Sequence, residues 1–161
     1  MDRAPGSPGP TGSAVKGLDT PILLGLLEGD RATQGLLAEL EGEELCTTVL
    51  NLFELGVVAK TGPRIGRDQR ARTLERLRSR LTVLEIDPRA AELASGYSSR
   101  ATSKGVSSPT WLILGALESH GCQTWFTTRE ARFPESSKKV HVTIIEHSTP
   151  KTRIVRKSAT A

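Results

Sequence analysis

The sequence predicts one three-layer α/β/α domain built on a central, mostly parallel sheet. Two observations carry that prediction. Strand-like runs alternate with helices or helix pairs through most of residues 15–146, and parallel strands need such helical crossovers. The length of 161 residues supports one sizeable core and is short for two.

The elements follow in order, with no internal repeat. "AVKGLD" (14–19) reads as a strand ending in Asp19, with Thr20 and Pro21 as the N-cap and first position of a helix. That helix carries Ile22, Leu23, Leu26 and Leu27, and "EGD" (28–30) ends it. "RATQGLLAELEG" (31–42) is a second helix, with Leu36, Leu37 and Leu40 on one face. "ELCTT" (44–48) is strand-like and leads into a helix holding Glu54. The Gly/Pro stretch at 60–66 is a loop, and an Arg-rich helix runs from about 67 to 80. "LTVLEI" (81–86), free of breakers, is the best strand in the chain. Asp87-Pro88 opens a helix toward residue 105, and Ser108-Pro109 opens another that stops at Gly121. "QTWFTT" (123–128) and "VHVTII" (140–145) close the body as strands.

The ends differ from the body. Residues 1–14 are rich in Gly, Pro and Ser and read as a disordered leader. Residues 147–161 carry Lys151, Arg153, Arg156 and Lys157 with no acid, a basic tail. The longest apolar run near the start, 21–27, is far too short to span a bilayer, and the leader lacks a secretory charge pattern. Cys46 and Cys122 form no ligand spacing and read as inert core thiols of a cytoplasmic protein. Net charge is +4, but seven arginines fall between Arg64 and Arg80 against two acids. That stretch is either a solvated helix face or a contact for a polyanion, with Arg70, Arg72 and Arg76 as the candidate contacts.

Glu54 is the anomaly of the body. It interrupts Val49, Leu50, Leu52, Phe53, Leu55, Val57 and Val58, and a buried carboxylate needs a partner, a proton or a cation. Ligands of open parallel sheets bind beyond the carboxyl ends of the strands. Asp19 and the "TTRE" stretch (127–130) are placed there, and Glu54 leans over the same crevice with Asn51 on its helical face. Asp19, Glu54 and Glu130 are therefore candidates to converge on one cation. Each has a plainer reading: Asp19 as a helix cap, Glu54 facing solvent or an arginine, Glu130 as a loop acid. Asp87 and His120 read as helix-end residues, and Trp111 and Trp125 as core or interface.

The ordered set "LDTPILLGLLEGD", "TTVLNLFELGVVAK", "LTVLEID", "LILGALESHG" and "TTREARF" resembles the PIN domain of VapC-type toxins of bacteria and archaea. The resemblance spans about residues 15–145. It implies a Mg²⁺- or Mn²⁺-dependent endoribonuclease acting on tRNA or ribosomal RNA, held by a small antitoxin and often dimeric. Any exposed apolar surface on the first two helices is then the expected dimer contact. Carried over by position, Asp19, Glu54 and Glu130 are the catalytic and metal-binding acids, Thr128 fixes the turn or touches phosphate, and the family's third acid falls at Thr110. A hydroxyl cannot neutralise charge, so a catalytically degenerate RNA-binding or ribosome-associated module is the alternative. A third reading, an α/β domain binding Mg²⁺ for signalling or phosphate transfer, lacks a Gly-rich phosphate loop.

Overall fold

The computed structural model describes residues 15–62, 66–101, 105–134 and 139–146. The expected leader (1–14) and basic tail (147–161) lie outside the described residues, as does part of the 60–66 loop. Five strands form one sheet in the order β3-β2-β1-β4-β5, with β1 at Lys16–Leu18, β2 at Leu45–Thr48, β3 at Leu81–Leu84, β4 at Thr124–Thr127 and β5 at His141–Ile144. Every neighbouring pair is parallel. The predicted central sheet is thus parallel throughout, and all carboxyl ends of its strands meet one edge.

Helices fill both faces. Helices α1 (Thr20–Glu28), α2 (Arg31–Glu39), α3 (Val49–Thr61) and α4 (Arg67–Arg80) cover one face, and α5 (Pro88–Arg100) and α6 (Ser108–Ser119) the other. The period-two alternation of each strand feeds both layers. Leu45, Leu81 and Phe126 pack among Ile22, Leu55 and Leu77, whereas Cys46, Leu84 and Trp125 pack among Leu114 and Leu117. Among the described residues, no helix is long and apolar enough to cross a membrane.

Element ends differ from expectation by a few residues. Asp19, not Thr20, is the N-cap of α1, its side chain accepting from the Thr20 amide. β3 stops at Leu84, because Asp87 caps α5 by accepting from the Ala90 amide at 2.7 Å. The exposed large hydrophobics among the described residues are Val49, Phe53, Val57 and Val58. They form a stripe on α3, whereas the first two helices, the expected place of any dimer contact, carry none of them.

The closest helix contact depends on one glycine. A Cβ on Gly115 of α6 would stand 2.2 Å from the Ala90 carbonyl oxygen of α5, a backbone atom that cannot step aside. Gly115→Ala is expected to cost about 2–3 kcal/mol of stability by overpacking. Gly56 of α3 meets nothing within 4 Å, so Gly56→Ala should gain about 0.5–1 kcal/mol from helix propensity. Urea unfolding of the two variants checks both signs.

Candidate active site

The carboxyl ends of β1, β2 and β4 bring one polar cluster together. Asp19 follows β1 and is buried, with its amide donating to the Phe126 carbonyl of β4 at 2.9 Å. Its Oδ1 accepts from the Thr20 amide and from Asn51 Nδ2, each at 2.8 Å, and its Oδ2 accepts from the Thr127 hydroxyl at 2.6 Å. Asn51, fully buried, is the residue that organises this cluster.

Its amide orientation follows from the α3 cap. Thr48 donates its backbone N–H (3.3 Å) and its hydroxyl (2.5 Å) to Asn51 Oδ1, in a capping box. The Nδ2 group must therefore donate, and it does so to Asp19 and to Thr20 Oγ1, the latter at 3.0 Å. The Thr20 hydroxyl, accepting from Asn51, directs its own proton to Glu54 Oε2 at 2.5 Å. A chain of donors thus runs from Thr48 through Asn51 and Thr20 to Glu54, and it fixes both carboxylates as acceptors.

Asp19 and Glu54 line one cleft of about 350 Å³, whose opposite wall includes Ser107, Thr110, Ile113 and Phe133. Burial pushes the Asp19 carboxyl above the usual carboxylate range and the Glu54 charge adds to this, while the bonds from Thr127, Thr20 and Asn51 act the other way. Such a carboxylate is stabilised by a nearby positive charge.

The other sequence candidates fall as follows. Glu130 sits on the 3-10 turn Arg129–Ala131 and is exposed; that turn presents Ala131, not Glu130, to the cleft. Among the described residues no three His, Cys, Asp or Glu side chains group as a metal site, so the structure gathers two of the three candidate acids. Thr127, not Thr128, bonds Asp19; Thr128 is buried, and its hydroxyl has no hydrogen-bond partner among the described residues. Thr110 is in the cleft wall, its hydroxyl 2.9 Å from that of Ser107, the N-cap of α6. Arg72 and Arg76 are exposed on α4 and Arg70 is half-buried. Trp111 and Trp125 are core residues. Asp87 and His120 lie outside the cleft, with His120 Nε2 3.9 Å from Asp87 and 3.0 Å from the Glu85 carbonyl.

The donor set suits one Mg²⁺ or Mn²⁺ ion. Such ions take oxygen ligands, keep several waters and are commonly held by one or two carboxylates together with substrate phosphate. Each carboxylate oxygen can accept about two bonds. Asp19 Oδ2 accepts from Thr127, and the bond from Thr20 engages only Oε2 of Glu54, so each acid has acceptor capacity left for a cation.

A parallel α/β domain with acids gathered at the carboxyl edge defines the class of protein. The chain belongs to the PIN domain family, whose model matches residues 17–138. No curated protein matches it. Among solved structures it is similar to VapBC2 of Rickettsia felis bound to a promoter DNA fragment, at 16% identity over 82% of this chain and 99% of that one, with a TM-score of 0.62. It is likewise similar to VapBC-1 of nontypeable Haemophilus influenzae, at 16% identity over 81% and 97% of the two chains, with a TM-score of 0.63. The sarcin-ricin loop cleaving toxin VapC20 of Mycobacterium tuberculosis is similar at 18% identity over 76% and 98%, with a TM-score of 0.54. At these identities the likeness is one of fold.

Proposed function

We propose that this chain is a divalent-metal-dependent endoribonuclease, the toxin of a toxin–antitoxin pair acting in the cytoplasm. The observation that carries the reading is the Asn51–Thr20–Glu54 hydrogen-bond chain, which holds Glu54 as an acceptor beside Asp19 in one cleft. Asp19 and Glu54 would hold the ion, which supplies Lewis-acid stabilisation of charge developing on a phosphate undergoing in-line displacement. Asn51 and Thr127 keep Asp19 oriented. Glu54 would take a proton from an attacking water on Oε1, which the bond from Thr20 to Oε2 leaves open. Glu130 is the third acid of the proposed site, acting through water from the neighbouring turn, with Thr128 supporting that turn. Arg70, Arg72 and Arg76 would contact RNA phosphates, so binding should weaken steeply with salt.

The RNA class is tRNA or ribosomal RNA, a choice supported by the cleavage target of VapC20. An antitoxin partner is supported by the VapBC complexes, and the apolar stripe of α3 beside Glu54 is the surface assigned to it. A second copy of the chain, forming a homodimer, would compete for the same stripe.

One observation favours a second reading, that of a degenerate RNA-binding module: hydroxyls of Ser107 and Thr110 stand where the family resemblance expects an acid. Thr110→Asp separates the two. In an active enzyme it is expected to tighten divalent binding about tenfold through the added ligand charge, and to raise the rate of EDTA-sensitive RNA cleavage. Cleavage that appears only in Thr110→Asp, with none in the parent, supports the degenerate module.

A further inference from the structure

The only two cysteines of the chain, 76 residues apart in sequence, meet in the core. Cys46 of β2 is fully buried, Cys122 is 2% exposed, and both belong to the apolar cluster beneath α5 and α6. Their Sγ atoms are 3.6 Å apart. Gly17 of β1 makes the meeting possible. It is the register partner of both Cys46 and Trp125, and a Cβ there would stand 3.1 Å from Cys122 Sγ and 2.3 Å from the Trp125 ring. The missing side chain is the space through which the thiols approach each other across β1.

The two thiols are not equivalent. Cys46 donates to Cys122. That bond holds the Cys122 thiol below the usual thiol range against the opposing effect of burial, and it pushes the Cys46 thiol up. Cys122 also lines an open cleft of about 320 Å³ together with Glu118, Gly121, Gln123 and Lys139. Cys46 does not. One thiol thus lines a route from solvent, with a second thiol behind it in contact.

We propose that Cys122 and Cys46 are a peroxide-oxidisable pair that closes to an intramolecular disulfide. The Cys122 thiolate attacks one oxygen of hydrogen peroxide, the O–O bond breaks, and hydroxide leaves, giving a sulfenic acid. Cys46 gives up its proton and attacks the Cys122 sulfur; the S–O bond breaks and the oxygen departs as water. In sum, two thiols and one peroxide give one disulfide and two waters. Closure requires the sulfurs to approach by about 1.5 Å to reach the disulfide length of about 2.05 Å. Gly121, at φ 72° just before Cys122, supplies a backbone free of side-chain restraint. The bond would tie β2 to the segment leading into β4. Those strands flank β1 and lead to Asn51 and Thr127, the residues that hold Asp19. The inference does not depend on the nuclease reading.

The test treats the native full chain with hydrogen peroxide, quenches, and measures intact mass and free thiols under denaturing conditions. The expected result is loss of two hydrogens and of both thiols in a monomer, a linked peptide pair containing Cys46 and Cys122, and a melting temperature raised by about 10 °C over the reduced chain. In Cys46→Ala, Cys122 should stop at the sulfenic acid and be captured by a dimedone probe. A native chain that keeps both thiols while the denatured chain oxidises overturns the proposal. So does cross-linking only between chains. The wild-type measurement decides the matter even where the alanine variant fails to fold.

Discussion

Asp19→Asn is expected to lower RNA cleavage by about 10³-fold or more while leaving the fold intact. The fold survives because the amide oxygen of an asparagine can accept from the Thr20 amide and from Asn51, as Oδ1 of Asp19 does. The amide nitrogen then faces Thr127, whose hydroxyl rotates from donor to acceptor. Cleavage is lost because the neutral amide contributes no negative charge to the cation. The pH dependence of stability separates this account from simple structural damage. Burial, with Glu54 adding, raises the Asp19 pKa in the folded chain. Its contribution is therefore fully present below the ordinary carboxylate pKa and lost as pH rises through the raised folded value. Asparagine has no such titration. Without metal, the variant should melt at or above the parent at neutral pH, and the difference should shrink in acid. Adding Mn²⁺ should raise the melting temperature of the parent and leave that of the variant unmoved. Thermal melts from acid to neutral pH, with and without the ion, check each of these signs.

Asn51→Leu should cost about 3 kcal/mol, or roughly 6–12 °C in melting temperature. Leucine keeps similar bulk but removes every polar contact of the side chain. Asp19 Oδ1 loses one of its two donors, Thr20 loses the bond that orients its hydroxyl, and Thr48 loses its acceptor at the start of α3. All of these groups are buried or nearly so, so their lost bonds are not replaced by water at full value. Cleavage should fall as well, since nothing then fixes the Thr20 proton toward Glu54. Asn51→Asp supplies the acceptor but adds a negative charge against Asp19, so its destabilisation should grow as pH rises. Ser107→Ala, by contrast, removes an exposed cap and should cost about 1 kcal/mol or less. Denaturant unfolding of the three variants ranks them.

Much of this was legible in the sequence, for definite physical reasons. Strand and helix periodicities differ, so the alternation that yields a parallel sheet shows through without any contact information. Glu54 stood out because a carboxylate inside an apolar run demands a partner if it is buried, Asp19 because it ends the first strand where ligands of parallel sheets bind, and Asn51 lay on the face of Glu54 at helical spacing. What stayed hidden depended on single-residue geometry or on long-range meeting. Strand parity sends Thr127 to Asp19 and leaves the Thr128 hydroxyl without a hydrogen-bond partner among the described residues, a distinction that "TTRE" does not carry. The direction of the turn after β4 decides that Ala131 rather than Glu130 reaches the cleft. The link from Thr20 to Glu54 and the contact of Cys46 with Cys122 join residues 34 and 76 positions apart, and no local pattern encodes either. The sequence left open whether Glu54 faces solvent from a half-buried helix or is buried with a partner; Glu54 is exposed, and half of that helix faces outward.

The most direct test of the central claim is cleavage of total RNA by the purified chain in Mg²⁺ or Mn²⁺, with Asp19→Asn in parallel. The account predicts EDTA-sensitive cutting by the parent and none by a variant that folds equally well. RNA binding by both proteins with cutting by neither, in either metal, would contradict it.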